Sequence, residues 1–152
     1  MKNIYTLQEW EGKYFFNNGH DYKEYFGDAD KVFDELIKLN YEVILENKNE
    51  LIQKVHSKYQ KIIDNIKKTA SSYEVETWTA QNTEWTSYVA DNSANTPFVD
   101  ALATARGITR DELMTKIGNK VTAVASTLGA QQKLEDQIKA CTTQDELDAI
   151  VV

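Results

Sequence analysis

The chain has 152 residues, of which 27% are charged and 11% aromatic, with one proline, six glycines and a net charge of −7. This is ordinary globular usage at a length that buries about 70% of the unfolded surface, which argues against intrinsic disorder. Residues 1–47 hold five Lys/Arg against ten Asp/Glu, residues 48–70 six against two, and residues 71–152 six against twelve. Phosphate is repelled by most of the chain, so general nucleic-acid binding is not expected.

The apolar runs, such as Val43-Ile44-Leu45, are far too short to cross a membrane. No apolar run stands behind Met1-Lys2-Asn3-Ile4-Tyr5 to make a signal peptide, and the lone Cys141 fits a reducing compartment. Synthesis in a cytoplasm is the expectation.

Residues 5–26 are dense in aromatics: Tyr5, Trp10, Tyr14, Phe15, Phe16, Tyr22, Tyr25 and Phe26. Asn17-Asn18-Gly19-His20 interrupts them with a turn sequence that predicts a β-hairpin, its strands at Lys13–Phe16 and Asp21–Tyr25. An isolated hairpin is marginal, so it must lie against a helix or a partner. Asp28–Leu39 follows as a helix with Val32, Phe33, Leu36, Ile37 and Leu39 on its apolar side, and Asn40 is placed to end it. Tyr41–Leu45 fits a short strand or a helical continuation equally well.

From Asn49 to Ala70 the pattern is helical. Ile52, Val55, Tyr59, Ile62 and Ile66 repeat at spacings of 3 and 4, the seam of a coiled coil. Packing within the chain and self-association as a dimer or trimer along that seam both remain open. Lys54, Lys58, Lys61 and Lys68 share another face, either solvated or docked to an acidic partner. Ser71-Ser72 marks a break, and Thr77 opens a helix to Asp91 with Trp78, Gln81, Trp85, Tyr88 and Val89 on one side. Both indoles are expected to enter one interface.

Thr96 and Pro97 then read as N-cap and first helical residue, and Gly107 as a left-handed stop. Thr109 and Glu112 make a capping box that opens the principal helix, Arg110 to Ala140. Its apolar stripe is Leu113, Ile117, Val121, Val124, Leu128, Leu134 and Ile138. Gly129 predicts either close approach of a neighbouring helix or a kink. A second box, Thr143 and Glu146, opens a last turn whose Leu147, Ile150 and Val151 are expected to fold back as a latch. The fold expected is mainly α: long amphipathic helices in a hairpin or bundle, with an aromatic-rich N-terminal α+β portion. The divisions expected are residues 1–47, 48–72 and 73–152.

No sequence arrangement calls for catalysis. There is no glycine-rich phosphate loop, nucleophile elbow, His-Glu-x-x-His or paired cysteine. His20 and His56 stand apart from any second ligand. Asp91-Asn92-Ser93-Ala94-Asn95 imitates a calcium loop but lacks its glycine, where Thr96 stands, and its bidentate glutamate, where Leu102 stands. Neither a cofactor nor a metal is expected.

One ordered string of motifs carries a resemblance. Thr77-Trp78-Thr79-Ala80-Gln81-Asn82-Thr83-Glu84-Trp85 leads through Asp91 to Thr96-Pro97-Phe98, Leu102 and Ala105-Arg106-Gly107. Glu112-Leu113, Lys116-Ile117, Leu128-Gly129 and Thr142-Thr143 to Ile150 complete it. Residues 77–151 so resemble the C-terminal helical module of tail-fibre assembly, or tail-fibre chaperone-like, proteins of tailed bacteriophages. The module commonly has proline where Thr79 stands. The resemblance implies a non-enzymatic protein that binds a fibre, tail or baseplate component in the host bacterial cytoplasm, or a lasting component of the virion tail. The aromatic N-terminal portion, namely Trp10, Tyr14, Phe16, Tyr22 and Tyr25, is the candidate partner-binding surface, since aromatic anchors dominate protein interfaces.

Overall fold

In the computed structural model, which describes residues 1–152, the protein is mainly helical with a small antiparallel sheet at its N-terminal end. Strands β1 (Thr6–Trp10), β2 (Lys13–Asn17) and β3 (Tyr22–Tyr25) pair in that order. Helices α1 (Val32–Lys68), α2 (Ser72–Ala90), α3 (Pro97–Arg106), α4 (Arg110–Ala140) and α5 (Gln144–Asp148) follow. Two units result, Met1–Ser57 with Lys133–Val152, and Lys58–Gln132. The long helices α1 and α4 each contribute to both.

The sheet has one strand more than the sequence suggested. β1 and β2 join through Glu11 and Gly12, both at positive φ, 52° and 74°, the two-residue hairpin geometry that suits the right-handed twist of the strands. Asn or Asp usually announces that turn, and Glu11 conceals it. The predicted turn is present, its loop shifted by one residue to 18–21. Asn18 Oδ1 accepts from the backbone of His20 and Asp21, Asn17 Oδ1 accepts from Gly19 N, and Asn17 pairs with Tyr22 across the loop.

Alternation divides the sheet by face. Leu7, Tyr14, Phe16 and Tyr25 point inward and pack with Tyr5, Val32, Leu36, Leu39 and Val43. Trp10, Lys13, Phe15, Tyr22 and Glu24 occupy the other face.

Asn40 does not end a helix. α1 runs 37 residues without a break, so Tyr41–Leu45 is helical continuation. The short-range turn chemistry of asparagine is absent because its side chain is engaged elsewhere. Asn40 Oδ1 accepts from Tyr5 N at 2.6 Å and its Nδ2 donates to Tyr5 O at 3.0 Å. Two turns on, Asn47 repeats the exchange with Lys2, at 2.6 and 2.7 Å, and donates to Gln144 Oε1 at 2.7 Å. Seven helical residues advance about 10.5 Å and three extended ones about 10 Å, so the two amides meet residues 2 and 5 in register. The segment before β1 is thus held on α1 by its backbone, with the Tyr5 side chain buried in the core and Lys2 Nζ paired with Glu46 at 2.7 Å.

In the second unit, Val99, Ala103, Leu113, Met114 and Ile117 form the core, with Trp85, Tyr88, Leu102, Ile108 and Val121 packed around them. α2 starts at Ser72, capped by Ser71 Oγ accepting from Glu74 N, five residues before Thr77. Thr79 therefore lies inside a helix, where proline would be costly. Gly107 ends α3 at φ 66°, and the Thr109–Glu112 and Thr143–Glu146 boxes form as expected. Thr96 differs: its side chain makes no cap bond. Glu84 of α2 caps α3 in its place, accepting from Phe98 N at 3.0 Å and Val99 N at 2.8 Å.

The predicted latch is narrower than expected. Leu147 is fully buried and Ile150 half-buried, but Val151 is 87% exposed, because α5 stops at Asp148 and only its own inward face reaches the core.

Candidate protein-binding surfaces

Three apolar surfaces stand open, and each lies on elements already described. The first is the outer face of the sheet. Phe15 is buried there, with the Tyr22 ring stacked 4.9 Å from it and the Lys13–Glu24 ion pair at 3.1 Å alongside. Trp10 is 66% exposed and Tyr22 57%. Two large aromatics exposed on one sheet face present an amphipathic surface of the kind that anchors interfaces.

Of the five aromatics proposed from sequence, Trp10 and Tyr22 share that open face. Phe16 is buried, and Tyr25 packs 5.6 Å from it with its hydroxyl donating to Asp28 O. Tyr14 joins the same inward cluster. Composition could not separate the two sets. The register could, since Leu7, Tyr14, Phe16 and Tyr25 are cross-strand neighbours on a face that meets α1.

The second surface is a stripe on the N-terminal half of α1: Phe33, Ile37, Tyr41 and Leu45, at intervals of four, exposed by 64%, 67%, 67% and 48%. Phe33 and Ile37 were expected on the packed side of their helix. Packing instead uses Val32, Leu36, Leu39 and Val43, a stripe one residue removed. Along the predicted seam, Val55 is fully buried, Ile52, Tyr59 and Ile66 are half-buried, and Ile62 is exposed.

The third is a groove of about 400 Å³ in the second unit, lined by Trp78, Gln81 and Asn82 of α2 and by Ile117, Val121 and Leu128 of α4 among others. The Lys120 ammonium stands 5.4 Å from the centre of the Trp78 ring and pairs with Glu74 at 2.6 Å. The Trp78 indole N–H is buried without a hydrogen-bond partner. Trp85, seven residues along the same helix, packs into the core, so both indoles face α4 as the spacing implied. Tyr88 closes that side: its hydroxyl donates to Asp111 at 3.1 Å, and this bond, with burial second, raises its pKa.

Other candidate groups have local partners. His56 meets Glu135 at 2.9 Å. The Cys141 thiol is buried and donates to Gln137 O. Asp91 accepts from the backbone and hydroxyl of Ser93, which hold its carboxyl below the ordinary value. Lys54 pairs with Glu50 at 3.5 Å and Lys58 lies beside the Tyr59 ring. No three His, Cys, Asp or Glu side chains converge at metal-binding distance, and no helix is long and apolar enough to cross a membrane. Compared with known proteins, the chain matches no family model, no curated protein and no solved structure.

Proposed function

We propose that this chain is a non-enzymatic tail protein of a tailed bacteriophage that assists fibre assembly by binding a fibre or another tail component. The observation that carries the binding half of this reading is the pair of exposed aromatics, Trp10 and Tyr22, on the outer face of the sheet. Exposed apolar surface of that kind is costly to leave in water and marks interaction sites. The phage half rests on the motif string of residues 77–151. Its Thr96-Pro97, Gly107, Glu112 and Thr143–Glu146 serve as helix boundaries, so they support a helical module of that design without naming its client.

The test is co-expression with the fibre protein encoded beside it. Soluble, assembled fibre should form with the unsubstituted chain and fail with Trp10→Ala, Tyr22→Ala, while circular dichroism of that variant is unchanged. Fibre that assembles equally well without the chain overturns the reading. The alternative is a lasting structural part of the tail or baseplate. It is favoured by the extent of α1, roughly 55 Å of continuous helix. Stoichiometric recovery of the chain from purified virions would select it.

A further inference from the structure

We infer that the N-terminal half of α1 carries a docking surface for a helix of another protein, one whose apolar face is bordered by lysine or arginine. The surface is the row Phe33, Ile37, Tyr41 and Leu45. At 3.6 residues per turn this row lies about 150° round α1 from Val32, Leu36, Leu39 and Val43, which the sheet covers. It is therefore distinct from the sheet face on which the proposed function rests.

Every residue that bounds the row belongs to one unit, Met1–Ser57 with Lys133–Val152. Beyond Leu45 the same side of α1 is closed by the chain itself. Lys48 donates to Lys139 O at 3.0 Å, His56 meets Glu135 at 2.9 Å, and Leu51 and Val55 are buried. The last turns of α4 lie along α1 there, and α4 stops at Ala140. A helix thus covers this side of α1 where the chain supplies one, and the row stands where that cover ends.

The four side chains are each at least 48% exposed. At 150–250 Å² for a whole aromatic side chain, they leave on the order of 400 Å² open, as much as the patches that mark interaction sites. That is about half of what one partner gives to a standard interface, so the polar border must supply the rest. All three intervals in the row are four, which makes it a single ridge of the helix surface rather than the 3-and-4 alternation of a coiled coil. Such a ridge seats a helix that crosses at about 50°, so the contact is short.

Charge decides the occupant. Val32–Asn47 holds one lysine against four carboxylates. That lysine, Lys38, pairs with Glu35 at 3.8 Å, and Glu46 pairs with Lys2 at 2.7 Å. Asp34 and Glu42 remain, both exposed and without an ion pair, on the border of the row. A second copy laid on the same row would set these carboxylates against their own counterparts, and an anionic lipid surface would be repelled by them. Cationic side chains beside a partner's apolar face complement them.

Titration of the intact chain with three synthetic peptides of about 18 residues, long enough to form helix, tests the surface and its occupant. The first has a leucine face bordered by lysines, the second the same face bordered by glutamates, and the third the composition of the first with the face scrambled. The lysine peptide should bind and shift the amide resonances of residues 33–45, with an affinity that falls as salt is added. The glutamate peptide should bind roughly tenfold more weakly, the worth of a few exposed ion pairs, and the scrambled one not measurably. Ile37→Ser with Tyr41→Ser should abolish binding and leave circular dichroism unchanged, since neither side chain joins the core. Asp34→Lys with Glu42→Lys should reverse the preference between the first two peptides. No binding of the lysine peptide, indifference to the border charge, binding that survives the serine pair, or shifts confined to other residues would each overturn the inference. So would sedimentation as a dimer that the serine pair converts to monomer, because the row would then hold a second copy.

Discussion

Gly118 of α4 lies against the indole of Trp85: a Cβ built on it would come 2.7 Å from Nε1, 3.2 Å from Cε2 and 3.3 Å from Cζ2. The indole is a rigid ring packed beside the core of the second unit, so it has no flexible end to move aside. Gly118 is what lets α2 and α4 meet at that point. At Gly129, where the sequence predicts either a close approach or a kink, a built Cβ meets nothing within 4 Å.

The two glycines therefore predict opposite signs for one substitution. Gly118→Ala gains up to about 1 kcal/mol of helix propensity and loses about 1–3 kcal/mol to overpacking, so net destabilisation is expected. Gly129→Ala keeps the gain alone and should stabilise by up to about 1 kcal/mol. Chemical denaturation of both variants checks the pair. A stabilised Gly118→Ala would mean that the indole is not held where it is described.

Glu84 makes a second, independent link between α2 and α3. Its carboxylate takes two backbone N–H groups that open α3, where the helix dipole adds to the attraction. Thr96, the residue that the sequence offers as cap, is fully buried and donates to Asp100 Oδ1 at 3.2 Å. Glu84→Ala should cost about 1–2 kcal/mol, in the range of lost N-caps. Amide exchange should show the loss first at Phe98 and Val99. If Glu84→Ala leaves both stability and the exchange of those two amides unchanged, the distant carboxylate is not what caps α3.

What could be read from sequence, and what could not, separates along the same line. α4 was legible to the residue, Arg110 to Ala140, because capping boxes and a glycine stop are contacts between neighbours in sequence. The Glu84 cap, the Asn40 and Asn47 clamps and the Gly118 contact join residues at least 14 positions apart, and no local pattern encodes them. The same limit explains the misreading of Asn40 as a helix end. Its amide is indistinguishable in sequence from one that turns back on its own backbone. The aromatic N-terminal portion was legible as a surface in prospect, but which rings face out depends on pairing register, and the hidden Glu11-Gly12 turn sets that register.

The asparagine clamp makes its own prediction. Asn47 is 1% exposed, and its Nδ2 donates to both Lys2 O and Gln144 Oε1. Asn47→Ala would strand those acceptors and the Lys2 N–H, at about 1–3 kcal/mol for a buried group left unpaired. Asn47→Asp keeps the size and the acceptor for Lys2 N–H but removes both donated bonds and turns an oxygen toward two others. It should destabilise at least as much as alanine. Thermal unfolding ranks the three proteins, and an aspartate variant as stable as the unsubstituted chain would show that the donated bonds contribute nothing.

The two capping boxes should titrate. Backbone hydrogen bonds from Thr142 and Thr143, then the Thr142 hydroxyl, hold Glu146 below the ordinary glutamate value of 4.5, and the backbone and hydroxyl of Thr109 do the same for Glu112. A carboxylate with a lowered folded pKa stabilises fully above its unfolded value, and that contribution disappears as pH falls through the folded one. Acid should therefore loosen α5 and the start of α4 only below the range in which an unpaired glutamate titrates. Carbon-detected titration of the two carboxyls, with amide exchange over Gln144–Asp148, reads both steps. Glu146→Gln preserves the box geometry, because a glutamine can occupy the third helical position, and should remove the pH step at α5 while leaving that helix formed at neutral pH. A Glu146 carboxyl that titrates at or above 4.5 would show that those three N–H and O–H groups do not converge on it.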